Sequence, residues 1–354
     1  MTLEELRAAV DELDRKLVDL LSERAERVLA IAKNKQENDL SAFDPAREQE
    51  VFARVRSLNP GPLSDGSLLA IYREIVSACR LLERRLTVAY YGPAGTNTHL
   101  AALDRFGSGA DLAPVDSIAD VFLAVEKKQA DLGVVPVENS SAGVVPAALD
   151  AFASTRLKIC AELYLEAEHF LLSKAPSLAE VKRLYSHPQP LAQCRGWLRA
   201  NLPKVEVVEA ASTARAAELA AGEPSSAAIA TELAGRLYGL PALAARIQDQ
   251  ADNWTRFFVV GLTESKPTGK DKTSTVFSVK HEAGALFQAL EVFHRHEINL
   301  TFIQSHPARE APWEYVFFVD FQGHQAEEKI ARALDELRTR TSQLRVLGSY
   351  PEAG

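Results

Sequence analysis

The chain has 354 residues, 47% of them hydrophobic and 25% charged, with a formal net charge of −8 at pH 7. That is material for two or three globular domains, and the acidic balance excludes bulk attraction to nucleic acid or to an anionic membrane. No apolar run approaches the roughly 18 residues of a membrane span, and the acidic, amphipathic start "MTLEELRAAVDELDRK" is unlike a signal peptide. Cys79, Cys160 and Cys194 are odd in number and widely spaced, which predicts reduced thiols in the cytoplasm rather than a disulfide frame. The eight histidines do not cluster, so no metal site is expected.

Residues 1–86 read as all helix. Leu3, Leu6, Val10, Leu13, Leu17, Leu20, Val28 and Ile31 form an apolar stripe close to a heptad repeat, over about 30 residues without Gly or Pro. A second helix starts at "FDPARE", with Asp44 as N-cap and Pro45 at the first helical position, and "NPGP" breaks it. A third runs from Ser67 to Arg85, with Leu68, Ile71, Ile75, Val76, Cys79 and Leu82 expected on its inner side. Such a long helix needs a second copy to cover its stripe, so a homodimer or higher homo-oligomer is expected. Arg24 falls on a seam position of the long helix. Lys35, 11 residues on, lies about 20° around and about 16 Å along the same face. Arg7 is about 25 Å from Arg24 along the rod, so only an antiparallel partner chain could bring it to the same place. The plainer alternative is that these cations merely snorkel at the edge of a coiled coil.

Residues 87–262 change period. The strands "TVAYYG", "LGVVPV", "RLYSH", "VEVVE", "AAIAT" and "FFVVGL" alternate with helical stretches such as Ile118 to Lys127 and Leu191 to Leu202. This predicts an α/β domain in two lobes, with ligands at the carboxyl ends of its strands. "TESKPTGKDK", Thr263 to Lys272, reads as a polar linker. From 273 the order strand, helix, strand, strand, helix, strand is that of a ferredoxin-like domain.

Three polar clusters stand in the middle domain: "GPAGTNTH" from Gly92, "VPVENSSAGVV" containing Glu138 and Asn139, and "SHPQPLAQC" from Ser186. A fourth feature is "NWTRFF", where Thr255 and Arg256 open an apolar strand. A buried arginine needs a partner, so Arg256 either lies at a wet sheet edge or waits for an anion.

"LRAAVDELDRKLVDLLSERAERVLAIAKNK", "DPARE" and "IYREIVSACRLLE" together resemble the all-helical chorismate mutases over residues 1–86. The resemblance implies substrate binding by Arg7 (from the partner subunit), Arg24, Asp44, Arg47, Glu48 and Cys79, with Lys35 and Glu83 flanking the ether oxygen. The residue types suit that chemistry. A pericyclic rearrangement needs no nucleophile and no cofactor, only a dianion held in a compact conformer and donors where negative charge builds up. Guanidinium forks match carboxylates. A Glu at position 83 can donate only when protonated, where the family often has Gln.

"TRF", "VEN" and "SHPQP", in that arrangement across 87–262, resemble the prephenate dehydratases, whose fold is that of two-lobed periplasmic binding proteins. By that resemblance Arg256 faces a cleft and grips a substrate carboxylate. Thr255 bonds the departing hydroxyl, Glu138 is a candidate proton source and Phe257 supplies an apolar wall. Asn139, Ser186, His187, Gln193, Ser212 and Thr213 are further polar contacts, with helix capping the alternative for His187.

The last segment resembles the ACT regulatory domains, through "GALF" (Gly284 to Phe287) and "WEYVFFVDFQGH". Gly284, Ala285 and Leu286 would hold an amino-acid carboxylate on free N–H groups, with Gln304 and Ser305 on the facing strand. Where that family reads Glu-Ser-Arg-Pro, this chain reads Gln304, Ser305, His306, Pro307. The acid and the guanidinium are gone, which predicts feedback by phenylalanine that is weakened or lost. The expectation is therefore a multidomain bifunctional enzyme acting on chorismate and prephenate: mutase at 1–86, dehydratase at 87–262, linker and ACT domain at 263–354. Two alternatives stand beside it: a dehydratase with an inactive helical dimerisation domain, and a non-enzymatic amino-acid sensor.

Overall fold

The computed structural model describes residues 1–38, 43–308 and 315–353, Gln36 by its backbone only. The motif residues Trp313 and Glu314 lie outside that set. Two compact units emerge: Met1–Thr87 with Phe106–Asp111, and Val88–Arg105 with Leu112–Gly354. No helix among the described residues is long and apolar enough to cross a membrane.

The first unit holds α1 (Leu3–Glu37), α2 (Pro45–Ser57) and α3 (Asp65–Glu83). Local chemistry sets the ends. Asp44 Oδ1 accepts from Arg47 N at 3.1 Å and Pro45 opens α2, while Ser64 Oγ accepts from Ser67 N at 3.1 Å to open α3. Among the described residues, only the later half of α1, around Arg24, Val28, Ala32 and Lys35, is covered by its own chain. Leu3, Leu6, Val10, Leu13, Leu17 and Leu20 remain 47–63% exposed. The inner side of α3 differs from expectation. Ser77, Cys79 and Arg80 are its buried residues, whereas Ile71 and Leu82 are about half exposed.

In the second unit the chain first builds β1 (Thr87–Tyr91), α4 (Asn97–Phe106), β2 (Asp111–Val115), α5 (Ile118–Glu126), β3 (Leu132–Asn139), β4 (Gly143–Val144), α6 (Pro146–Ser154) and β5 (Lys158–Glu166). It then crosses to a second lobe: β6 (Phe170–Ser173), β7 (Arg183–Ser186), α7 (Pro188–Gln193), α8 (Arg195–Asn201), β8 (Glu206–Glu209), α9 (Thr213–Ala221), β9 (Ser226–Ala230), α10 (Glu232–Tyr238) and β10 (Ala242–Ala244). β11 (Trp254–Gly261) returns to the first lobe. The two sheets run β2-β1-β3-β11-β5, with β4 on β3, and β10-β6-β9-β7-β8. The helix read over Leu191 to Leu202 is in fact two, α7 and α8, divided at Cys194.

β12 (Asp271–Ser278), α11 (Ala285–Arg295), β13 (Leu300–Pro307), β14 (Tyr315–Gln322), α12 (Glu328–Arg340) and β15 (Gln343–Pro351) complete the chain, with sheet order β13-β14-β12-β15. One face of this sheet carries α11 and α12 over Phe277, Val319 and Phe321. The other face joins the first lobe's core, where Val276, Phe318, Leu347 and Tyr350 pack with Phe152, Phe258 and Val260. Edge-to-face rings run Phe122, Phe152, Phe258, Tyr350 at centroid separations of 5.0–5.7 Å. A Cβ at Gly348 would stand 2.3 Å from the Ile159 carbonyl oxygen, so β15 meets β5 backbone to backbone. Arg345 donates to the Phe152, Ala153 and Thr155 carbonyls at the end of α6, and His306 Nε2 lies 2.8 Å from Asp150 Oδ1. The linker is shorter than its composition predicts, because Asp271 and Lys272 already belong to buried β12.

Candidate active and regulatory sites

In the helical unit α1 and α3 bring four of the expected residues together. Arg24 Nη1 donates to Cys79 Sγ at 2.9 Å, and Lys35 Nζ lies 3.3 Å from Glu83 Oε2. Asp44 is spent on its cap, and Arg47 is exposed and paired with Glu50 at 2.7 Å. Glu48 pairs with Arg80, whose guanidinium lies over the rings of Phe43 and Phe106 at 5.8 and 5.9 Å. Arg80 was not anticipated, although a lone cation inside the apolar run "IVSACRLL" was a usable signal. Arg7 stands on the exposed early half of α1.

The second unit places a polar cluster where three strands meet. β1 and β3 are parallel and β11 is antiparallel to β3, so the carboxyl ends of the first two and the start of the third share one edge. There Asn139 is opposite Thr255. Asn139 Nδ2 donates to Thr255 Oγ1 at 2.9 Å, and also reaches the Asn253 side-chain oxygen and the Trp254 carbonyl. Its Oδ1 accepts from Ser141 N and Ala142 N. With donor and acceptor both filled, Asn139 orients Thr255 rather than meeting substrate. The Thr255 hydroxyl, an acceptor here, keeps its own proton free to donate.

Several expectations need correction. Arg256 does not face the cleft: its guanidinium is bound by Glu162 and Asp320, with 5% of the side chain exposed. Strand alternation explains this, since Thr255 and Arg256 must point to opposite faces of β11. The same alternation turns Glu138 away from Asn139 and Thr255. Phe257 is fully buried and offers a ligand no surface. Ser186 Oγ is buried and donates to the Ile229 carbonyl at 3.0 Å. His187 caps α7, its Nδ1 accepting from Gln189 N at 3.3 Å, which is the capping alternative. Gln193 Oε1 lies 2.7 Å from Nε2 of buried His169. Ser212 caps α9 by accepting from Arg215 N at 3.0 Å, and Thr213 is that helix's first residue.

Two unassigned residues help close the lobes on each other. Thr231 Oγ1 donates to the Gly95 carbonyl at 2.6 Å. Gly95 has φ +91°, and a Cβ there would come within 3.2 Å of Ala234 Cα and 3.5 Å of Ala214 Cβ. His99 Nδ1 accepts from Gly95 N at 3.0 Å and its ring stacks on Tyr90 at 4.8 Å. Burial lowers its pKa and favours the neutral ring, with the proton on Nε2.

In the regulatory domain Gly284, at φ +82°, precedes α11 and lines a hollow of about 560 Å³ with Ala285, Leu286 and the other residues of Val279–Phe287. Gln304 Nε2 turns to the Ser305 carbonyl at 2.7 Å, and neither residue lines that hollow.

Residues 6–84 match the family "chorismate mutase type II", 88–265 "prephenate dehydratase" and 273–339 "ACT domain". Over 355 residues the chain is 48% identical to the bifunctional chorismate mutase/prephenate dehydratase of Aquifex aeolicus (strain VF5), covering 99% of this chain and 98% of that one. This chain belongs to the bifunctional chorismate mutase/prephenate dehydratases. The Pseudomonas aeruginosa member is 43% identical over 357 residues, covering 99% of this chain and 98% of its own. The solved prephenate dehydratase of Arthrobacter aurescens, in complex with L-Phe, superposes with a TM-score of 0.70 at 33% identity, covering 76% of this chain and 90% of that one. As a bifunctional mutase–dehydratase, the protein rearranges chorismate to prephenate and converts prephenate to phenylpyruvate, towards phenylalanine. Neither the inactive-helical-domain alternative nor the sensor is favoured.

Proposed function

We propose that the dehydration turns on the Thr255 hydroxyl. In that step the bond to the ring carboxylate breaks and its electrons enter the ring. Carbon dioxide leaves, the ring C–O bond breaks, and the departing hydroxide takes a proton to become water. Aromatisation drives the change, so the enzyme's task is to hold the dianion and ease hydroxide out. Thr255 donates to that oxygen, because Asn139 occupies its acceptor side at 2.9 Å. This single contact carries the reading. With Arg256 committed elsewhere, substrate carboxylates fall to the α9 N-terminus at Ser212 and Thr213, where backbone N–H groups favour anions.

In the helical unit, Arg24 and Lys35 take the carboxylates and ether oxygen of chorismate, with Glu83 as second donor. A second copy of the chain covers the exposed α1 leucines and delivers Arg7. In the ACT domain an amino acid, phenylalanine in the first place, occupies the hollow at Gly284. The test of the central reading is chorismate supplied to a Thr255→Val protein. Prephenate should accumulate and phenylpyruvate should fall at least about 100-fold; wild-type phenylpyruvate formation would reject the role.

A further inference from the structure

Arg256 lies in a buried cluster that spans the dehydratase and regulatory sheets. Its Nε and Nη2 donate to Glu162 Oε2 on β5 at 2.9 and 2.7 Å. Its Nη1 donates to Asp320 Oδ2 on β14 at 2.6 Å, and Nη2 reaches the Tyr350 hydroxyl on β15 at 3.2 Å. Lys272 on β12 donates to the other oxygen of Glu162 at 2.7 Å, and the Ser274 and Tyr350 hydroxyls are 2.6 Å apart. The guanidinium also lies over the Phe258 ring at 4.6 Å. Two cations meet two buried carboxylates, no side chain among these four being more than 8% exposed, and Glu352 Oε1 lies 3.6 Å from Lys272 Nζ at the rim. Burial opposes the charge on Arg256, but the carboxylates of Asp320 and Glu162 hold it protonated.

Stability alone does not account for such a cluster. Well-packed apolar side chains of similar volume hold strands at least as firmly as a buried ion network. A fork bound on three sides supplies direction instead, because it fixes where one backbone segment sits relative to others. The segment fixed here is the one before Phe257. β11 changes register against β3 between Arg256 and Phe257, so the pairs Thr255–Asn139 and Arg256–Glu138 lie beyond an irregularity. That side of the ladder leaves the strand end weakly specified; on its other side β11 pairs with β5 in unbroken register from Trp254 to Val259, so the placement of β5, which carries Glu162, sets where Thr255 sits. Three of the groups that hold these two strands (Asp320, Lys272 and Tyr350) come from the regulatory domain.

We propose that Arg256 is a positioning residue for dehydration: the regulatory strands, through Asp320, Lys272 and Tyr350, hold the paired β5 and β11 in the position that presents Thr255. The dehydratase site thereby senses the seating of the ACT domain at Arg256. This rests on the reading of Thr255 given above.

The test compares full-length Arg256→Lys, Asp320→Asn, Tyr350→Phe, the double variant R256K/D320N and Thr255→Val, all assayed with prephenate well below their measured Tm. R256K and D320N are expected to lower kcat roughly 10- to 100-fold with KM within about twofold, since a displacement of about 1 Å costs on that order. The double variant should be no worse than R256K, because both changes break one device. Y350F, which keeps the shape and loses one hydroxyl, should lower kcat several-fold and carries the test if D320N does not fold. A large rise in KM for R256K at unchanged kcat would restore Arg256 to the substrate and overturn the proposal. So would folded D320N and Y350F proteins with wild-type kcat while T255V is inactive. Wild-type activity in T255V would instead reject the Thr255 reading, and the proposal with it.

Discussion

Lys35 and Glu83 face each other at 3.3 Å across α1 and α3, an ammonium and a carboxylate that satisfy one another until a substrate separates them. For Glu83 to donate to an ether oxygen it must carry a proton, whereas the amide of a Gln donates as it stands. Glu83→Gln is therefore expected to keep or raise mutase activity, and Glu83→Ala to lower it at least about 100-fold. Chorismate loss followed for both proteins checks this; an Ala variant as active as the unaltered chain would remove Glu83 from the chemistry.

Asn139→Asp exchanges the amide that donates to Thr255 for a carboxylate that can only accept. The Thr255 proton then turns inward, toward residue 139. Phenylpyruvate formation should drop about 100-fold in kcat, while chorismate consumption by the same preparation is unchanged. Equal loss of both activities would mean general misfolding.

Gly95→Ala places a methyl against Ala234 and Ala214 at a residue with φ +91°. The backbone strain costs on the order of 1 kcal/mol, and the first lobe must back away from the second. The expected result is a KM for prephenate raised about tenfold or more, with mutase kinetics unaltered. An unchanged KM would show that the contact does not govern closure.

Leu13→Asp with Leu17→Asp puts charges on the part of α1 that its own chain leaves uncovered. Sedimentation should show dissociation, and mutase activity should fall at least about 100-fold once the partner's Arg7 is withdrawn. Retained mutase activity in a demonstrated monomer would disprove the shared site.

Gln304→Glu with His306→Arg restores the acid and the guanidinium that β13 lacks. Inhibition of the dehydratase should then occur at phenylalanine concentrations at least about tenfold lower than for the unaltered chain. No change in the inhibition curve would show that these two positions do not tune the effector site.

The architecture was readable from the apolar patterns. The stripe of α1 follows the helical rule, and the strands around Val134, Ile229 and Val259, buried on both faces, read as near-continuous apolar runs. β5 escaped because its buried centre contains Glu162, which reads as solvent-facing until Arg256 and Lys272 are beside it. Lys272 misled for the same reason, appearing as linker while belonging to a buried strand. At the site, residue types were legible but direction was not. Thr255 and Arg256 are consecutive, and only the strand's orientation reveals that one faces Asn139 and the other the regulatory strands. Thr231 and Gly95 join across 136 positions, a relationship that no local pattern encodes.

The missing side chain at Gly348, where β15 lies directly on Ile159 of β5, bears on how such an enzyme can be taken apart. A gene cut in the polar stretch near residue 266 would look like a division between modules. It would in fact split a single interior, leaving Phe258 and Val260 without the residues that cover them. Effector modules exchanged between relatives at that point should give insoluble chimaeras unless β5 and β15 travel together.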